Sequence, residues 1–291
     1  MDYNEQYAHY LNIFNSNLNE AFVSLNYQAP NTIIEAMNYS IKDGGKRLRP
    51  VLCLAACDML GVDLKEVKEF SVALECIHSY SLVHDDLPAM DNDDFRRGKL
   101  STHKKFGEAN AILAGDALLN FAFELALKKE NFSNKDARAL YILAEYAGYS
   151  GMIAGQVLDL ENEQNNVYNE QKLYDIYENK TAKLITAPLL IASTLSGGKY
   201  FNELKEFGYH LGVTFQIVDD IMDVEGTLES IGKTPNKDLA EDKLTSIKVF
   251  GLDGAKERAK KHYEKCKELL SNIDNNDFLD KLTDAMFVRK K

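Results

Sequence analysis

The stretch of sequence that decides the fold reads SVALECIHSYSLVHDDLPAMD and spans residues 71–91. Its apolar residues recur at spacings of three and four, which is typical of a buried helix. The helical part runs directly into the carboxylates Asp85 and Asp86. Pro88 disfavours helix at the residue before it, so the chain can turn and bring Asp91 back toward Asp85. The stretch therefore predicts a core helix whose end presents clustered acids.

The same helical spacing recurs along nearly the whole chain, and no stretch alternates as a strand for more than a few residues. This pattern predicts an all-α fold. No Ser/Gly-rich or low-complexity linker interrupts it, so we expect one large helical domain over residues 1–291. The predicted helices cover residues 3–26, 31–42, 49–60, 65–86, 108–129, 135–162, 170–195, 200–226, 239–250, 252–272 and 276–288.

Composition limits the classes of protein to which the chain can belong. It has 34 Lys plus Arg against 45 Asp plus Glu, a net charge of −11, which makes nucleic acid and anionic membranes poor default partners. The N-terminus lacks a signal-peptide pattern and no run approaches ~18 apolar residues, so we expect a cytoplasmic protein without stable membrane anchoring. The cysteines are expected to be buried thiols; they are Cys53, Cys57, Cys76 and Cys266.

A second acidic cluster, Asp219-Asp220-Ile221-Met222-Asp223, follows a largely apolar helical segment. Asp219 and Asp223 are four residues apart and share a helical face, so their carboxylates can converge on one ion. A charge run is usually a solvated helix face, but acids near core depth normally coordinate a cation. Oxygen-only ligands favour Mg²⁺ over zinc, and two such clusters facing each other would clamp a diphosphate.

Basic residues stand out in this acidic chain. Lys46 and Arg49 follow the pair Gly44-Gly45 and precede an apolar helix, a setting that favours phosphate binding. For Arg96 and Arg97 the alternative is that they offset the neighbouring acids. The remaining candidates are Arg47, Lys180, Lys233, Lys237 and Lys243; for Lys237 and Lys243 a surface position is favoured over phosphate binding.

Two further features leave alternatives open. Gly148, Gly151 and Gly155 fall inside one predicted helix, where close helix packing is favoured over a ligand passing nearby. The pair His84-Asp85 also occurs in metal phosphohydrolases, although the other histidines show no matching spacing. A metal phosphohydrolase is therefore the runner-up.

Several motifs, taken in order, resemble the trans-type isoprenyl diphosphate synthases, and most of all the bacterial farnesyl diphosphate synthases. The resemblance covers nearly the whole chain. Its motifs are GKRLRP at 45–50, the first acidic motif with four residues between the acids, RRG at 96–98, Gly155-Gln156, Lys180-Thr181, Phe215-Gln216 and the second acidic motif. This resemblance implies a helical bundle around a deep central cavity, a homodimer, and prenyl transfer with three Mg²⁺ ions.

The resemblance also implies a role for each matching residue. Asp85 and Asp91 resemble ligands of two Mg²⁺ ions and Asp219 that of a third. Supporting acids would be Asp86, Asp220 and Asp223. Asp159 resembles an acid that is linked to the metal ions through water. Residues that would hold the allylic diphosphate are Arg96, Lys180 and Lys233. Those that would hold isopentenyl diphosphate are Lys46, Arg49, His78 and Arg97. Thr181 and Gln216 would lie beside the reacting carbons, and Arg289-Lys290-Lys291 is similar to basic tails that seal the site.

Product length is expected to depend on Tyr80, which lies five residues before Asp85, about 7.5 Å along the helix. A bulky ring there resembles the floor in synthases that stop at fifteen carbons, while an ordinary packed aromatic is the alternative. Farnesyl diphosphate is thus the expected product, ahead of geranylgeranyl diphosphate. A terpene cyclase and a non-catalytic synthase subunit remain the competing functions.

Overall fold

The computed structural model describes residues 1–23, 25, 29–42, 44–165, 167–225 and 243–288. Helices form almost all of this part of the chain, which confirms the predicted all-α class. The α-helices are α1 (Tyr3–Val23), α2 (Asn31–Lys42), α3 (Leu48–Leu60), α4 (Lys68–Asp85), α5 (Thr102–Phe106), α6 (Glu108–Leu127), α7 (Asn134–Ala147), α8 (Met152–Asn165), α9 (Glu170–Ile176), α10 (Lys183–Leu195), α11 (Phe201–Glu225), α12 (Ser246–Leu270) and α13 (Asp277–Phe287). Short elements complete them: a 3₁₀ turn (Leu64–Val67), a π-helix (Tyr177–Ala182) and the strands β1 (Phe95–Arg96) and β2 (Lys99–Leu100).

The chain divides into two compact units, with boundaries inside α3, between Val62 and Asp63 just after α3, and inside α7. The first unit comprises Met1–Leu54 and Asp63–Leu140. Its central helix is α4, which packs against α6, α1 and α2. Phe70, Leu74 and Ile77 of α4 are fully buried because their spacing places them on the inner faces of the helix.

The second unit comprises Ala55–Val62 and the residues from Tyr141 onward. Here α11 packs against α12, α10 and the π-helix. Every residue of α10 between its first and last is buried, including Pro188, as expected for a helix that is apolar all round. Leu173, Val213 and Ile217 belong to the core cluster that joins these elements.

Two predicted helices are divided in the structure, and one predicted break is confirmed. The predicted helix 135–162 is two helices, α7 and α8, because the chain turns at Gly148 and Gly151. The predicted helix 170–195 is interrupted by the π-helix, where one extra residue per turn changes the direction of the side chains. The predicted break between 239–250 and 252–272 is present as a kink at Gly251, whose φ is 68°; residues 239–242 lie outside the described part of the chain.

Among the described helices, α6 alone has the length and mean composition of a membrane span, although polar residues such as Asn110, Asp116 and Asn120 interrupt it, so no run of ~18 apolar residues occurs there. Glu108–Leu127 is long enough, and its mean hydropathy of 1.3 over 18 residues is high enough, to cross a membrane by length and composition alone. A core helix of a soluble protein passes the same test. Ala111, Ala114, Leu118 and Ala122 of α6 are fully buried, and the helix packs against α4. All four cysteines are buried and free, as predicted.

Candidate functional site

The first acidic motif forms a tight turn at the end of α4. The backbone N–H of Asp91 donates to the carbonyl of Asp85 over 2.9 Å, and Met90 N–H donates to the Leu87 carbonyl, also over 2.9 Å. The chain thus returns on itself around Pro88, as the sequence predicts. This turn brings the backbones of Asp85 and Asp91 together in the first unit.

Asp86, the second acid of this motif, is only 2% exposed and faces Arg96. Its Oδ1 accepts a hydrogen bond from Arg96 Nε over 2.9 Å and a second from Nη2. Burial raises the pKa of the Asp86 carboxyl, although the Arg96 guanidinium opposes this effect. The structure therefore places Asp86 in an ion pair that orients Arg96, which suits a supporting acid better than a direct metal ligand.

Arg96 and Arg97 lie on a β-hairpin that the helical pattern does not predict. Strands β1 and β2 are antiparallel, and the turn residues Arg97 and Gly98 have φ of +52° and +77°. Positive φ at both turn positions is the type I′ geometry that two-residue hairpins favour. The hairpin separates the two arginines: Arg96 reaches Asp86, whereas Arg97 Nη1 donates to the Gly44 carbonyl over 3.0 Å.

The charge of Arg97 acts on both Arg49 and His78, and the charge of Arg49 acts on His78. Burial lowers the pKa of Arg49 to about 10, an effect that Glu75 opposes and Arg97 strengthens. Burial, together with the charges of Arg49 and Arg97, holds the pKa of His78 well below its usual range. His78 is therefore a neutral hydrogen-bonding group among permanent cations at pH 7. Lys46, on the loop before Arg49, is exposed.

Tyr80 lies in α4 one turn before the acidic motif and is 5% exposed. Its ring contacts His84 edge to face, with the centroids 5.8 Å apart. Its hydroxyl is buried without a hydrogen-bond partner in the described part of the chain, and burial raises the pKa of Tyr80 to about 12. His84 itself contacts the Ile112 carbonyl over 3.0 Å. No further histidine joins it in the described residues, so the metal phosphohydrolase interpretation gains no support.

In the second unit the π-helix presents Lys180 and Thr181. Lys180 Nζ pairs with Asp159 Oδ2 over 2.7 Å, and Thr181 Oγ1 donates to Gln216 Oε1 over 2.9 Å. Gly155 permits this arrangement, because a Cβ there would lie 2.1 Å from the backbone nitrogen of Lys180. Close packing therefore explains this glycine, as favoured from the sequence.

The second acidic motif lies near the end of α11. Asp219 is half-buried, while Asp220 and Asp223 are 3% and 1% exposed. Asp220 accepts hydrogen bonds from the Tyr177 hydroxyl and from both N–H and Oγ of Ser246, the last two over 2.7 Å.

Burial raises the pKa of Asp220 to about 7, and its donors oppose the rise. Tyr177 and Ser246 are the residues that sequence reasoning missed here. Neither lies in a motif, and only their contacts with Asp220 reveal them.

Comparison with known proteins now decides the family. A model of the polyprenyl synthetase family matches residues 30–282. The chain belongs to the polyprenyl synthetase family. It is 43% identical to the farnesyl diphosphate synthase of Micrococcus luteus over 242 residues, which cover 82% of this chain and 83% of that protein.

It is 42% identical to the chloroplastic geranylgeranyl pyrophosphate synthase 7 of Arabidopsis thaliana over 281 residues, which cover 94% of this chain and 81% of the relative. The crystal structure of the Helicobacter pylori geranyltransferase complexed with magnesium and isoprenyl diphosphate matches with a TM-score of 0.83 and 32% identity, over 97% of this chain and 96% of that one. This polyprenyl synthetase is thus a transferase of the farnesyl and geranylgeranyl diphosphate synthase type.

The donor set of this polyprenyl synthetase fits magnesium. Both acidic motifs offer only oxygen ligands, and in the described residues no group of three or more His, Cys, Asp or Glu side chains forms a preassembled metal cluster. Mg²⁺ needs no such cluster, because it typically binds one or two carboxylates and takes its remaining ligands from water and phosphate. Lys243 is half-buried just before α12. Lys233, Lys237 and the segment 289–291 lie outside the described residues.

Proposed function

We propose that this polyprenyl synthetase condenses isopentenyl diphosphate head to tail with dimethylallyl and geranyl diphosphate to yield farnesyl diphosphate. The observation that supports this most directly is that Arg49 and Arg97 lie within electrostatic reach of the neutral His78, whereas Arg96 is held in an ion pair with Asp86. Two diphosphate substrates require two sets of anion-binding groups. The Helicobacter pylori relative, whose structure contains isoprenyl diphosphate, agrees with this substrate class.

The oxygen ligands we assign to Mg²⁺ are Asp85, Asp91 and Asp219, supported by Asp86 and Asp223, and we expect three ions as the resemblance implies. Magnesium, as a Lewis acid, would neutralise the charge that develops on the departing diphosphate. The magnesium in the Helicobacter pylori structure supports this choice of metal.

The protein's own residues would bind, orient and shield the reactants. Arg96, Lys180 and Lys233 would hold the allylic diphosphate while its C–O bond breaks, and hydrogen bonds to that leaving group strengthen as its charge grows. Thr181 and Gln216, already joined at 2.9 Å, would orient the reacting carbons. The double bond of isopentenyl diphosphate then supplies the electron pair for the new C–C bond. The proton lost afterwards would pass to the released diphosphate, so we assign no side chain as base.

The product length is part of the proposal, because the relatives divide between farnesyl and geranylgeranyl synthases. A buried ring at Tyr80, five residues before Asp85, favours the shorter product. The test incubates purified protein with dimethylallyl and isopentenyl diphosphates and Mg²⁺, and then sizes the products. A fifteen-carbon diphosphate supports the proposal, and a twenty-carbon one replaces farnesyl by geranylgeranyl.

The same experiment separates the competing functions. A terpene cyclase would convert an allylic diphosphate without isopentenyl diphosphate, and it would not need a second diphosphate site such as that of Lys46 and Arg49. A non-catalytic subunit would give no product alone. Both acidic motifs and both basic clusters are retained in this chain, which favours the complete enzyme.

We also propose that the chain acts as one domain, in the cytoplasm, and as a homodimer. One family model spans residues 30–282, which supports a single functional domain. On α6, Ile112, Leu113 and Leu127 are exposed apolar side chains that a second copy would bury. Light scattering coupled to gel filtration tests the dimer, and Leu113→Glu is expected to shift it toward monomer.

A further inference from the structure

A buried ion pair lies behind the basic segment of the first unit and has no role in the chemistry described so far. Glu75 is 1% exposed in the middle of the apolar part of α4, and its Oε1 accepts a hydrogen bond from Arg47 Nη1 over 2.7 Å. The Arg47 side chain is 4% exposed. Arg47 therefore points inward, although the sequence groups it with the phosphate-binding residues on either side.

The Arg47 side chain fixes the backbone on which those neighbours lie. Its Nη2 donates to the Ile41 carbonyl over 2.5 Å, and its guanidinium lies over the Phe14 ring, 5.7 Å from the centroid. Arg47 has a φ of +51°, a conformation that costs free energy in a residue other than glycine. The buried contacts of the side chain hold the backbone in that conformation.

The two neighbouring cations lie on either side of this residue. Lys46 precedes Arg47 directly and is exposed, while Arg49 follows two residues later at the start of α3 and is half-buried. Glu75 is also the acid that opposes the loss of charge on Arg49 and Arg97. Its second oxygen, Oε2, has no hydrogen-bond partner in the described residues. A buried carboxylate with one oxygen unpaired costs free energy of folding. A role in placing the basic loop therefore explains Glu75 better than a contribution to stability does.

We propose that Glu75 is a positioning residue for the isopentenyl diphosphate site: through Arg47 it fixes the loop that aims Lys46 and Arg49 at the diphosphate. The inference rests on the proposed function and assigns a residue to one of its two substrates. Glu75 does not touch the substrate in this proposal, because its side chain is buried and is hydrogen-bonded to Arg47.

Simple electrostatics makes the opposite prediction, which allows a sharp test. An anion behind an anion-binding site weakens binding, so removing its charge should tighten binding of isopentenyl diphosphate if Glu75 had no positioning role. Under our proposal, Glu75→Gln replaces the charged partner of Arg47 by a neutral one, which loosens the loop and weakens binding instead. The sign of the change therefore separates the two explanations.

The experiment measures steady-state kinetics with dimethylallyl and isopentenyl diphosphates, together with calorimetric binding of isopentenyl diphosphate. For Glu75→Gln we expect KM and Kd for isopentenyl diphosphate to rise about tenfold or more, because misplacement of a binding group by about 1 Å can cost up to about 100-fold. We expect kcat at saturation and KM for dimethylallyl diphosphate to stay within about twofold. Glu69→Gln, a partly exposed acid on the same helix, is the matched control and should leave all four constants unchanged.

A second variant keeps the test decisive if Glu75→Gln folds poorly. Arg47→Met combined with Glu75→Leu removes both buried charges, which restores folding when an unpaired charge is the only fault. The proposal expects this double variant to keep the raised KM, since the loop is still unanchored. An unchanged or lower KM in the folded single variant, or a wild-type KM in the double variant, would overturn it. If the wild-type protein itself fails to bind isopentenyl diphosphate, the proposed function fails first, and the inference falls with it.

Discussion

The contact of Gly155 with Lys180 supports a prediction that joins packing to catalysis. Gly155 lies in α8, and a Cβ built on it would lie 2.1 Å from the backbone nitrogen and 2.4 Å from the Cα of Lys180. Both are main-chain atoms of the π-helix, so no flexible side chain can move aside. Gly155→Ala therefore pushes the backbone that carries Lys180 away from α8.

The size of the effect follows from the distances. An ordinary contact begins at 3.4 Å, so the two elements must separate by 3.4 − 2.1 = 1.3 Å. Alanine favours a helix over glycine by about 1 kcal/mol, whereas overpacking a tight contact costs about 1–3 kcal/mol. The net loss of stability is therefore about 0–2 kcal/mol, a fall in Tm of at most a few degrees. The loss in turnover is larger, because displacing a binding group by about 1 Å can reduce the rate about 100-fold.

The assay compares kcat with the free energy of unfolding for Gly155→Ala and for Val157→Ala, an exposed position on the same helix. We expect Val157→Ala to match the wild type in both measurements. A Gly155→Ala protein that keeps wild-type turnover and gains about 1 kcal/mol from helix propensity would refute the reasoning.

Other predictions concern product length, hydrogen bonding and pH. Tyr80→Ala is expected to lengthen the products seen by mass spectrometry, and an unchanged profile would remove Tyr80 as the stop. Thr181→Val removes the hydroxyl that donates to Gln216, so kcat should fall about 2- to 10-fold, whereas Thr181→Ser should not change it. Burial, with His210 adding, lowers the pKa of His262 to about 4, so the unfolded chain binds its proton more tightly. Stability should then fall as the pH drops from about 6.5 toward 4, by about 1–2 kcal/mol between pH 7 and 5 in urea unfolding. An equal slope in His262→Gln would contradict this origin.

Features that depend on neighbouring residues could be predicted from the sequence. The spacing of apolar residues determined the all-α class and most helix ends, because each helix buries one face and repeats every 3.6 residues. Pro88 determined the turn that joins Asp91 to Asp85, because its effect on the backbone is local. The order of the motifs was sufficient to identify the family.

Tertiary structure alone decided which charged residues face inward. Arg47, Lys46 and Arg49 are equivalent as sequence, yet only Arg47 turns fully inward to an ion pair, because the fold brings Glu75 of α4, 28 residues away in the chain, against it. Asp220 likewise looks like its neighbours until Tyr177 and Ser246 are seen to bind it. The desolvation and the ion pairing of a charged side chain depend on its neighbours in the fold, and those neighbours are often far from it in the sequence. Periodicity reports which face of a helix is buried, but it does not report what covers that face.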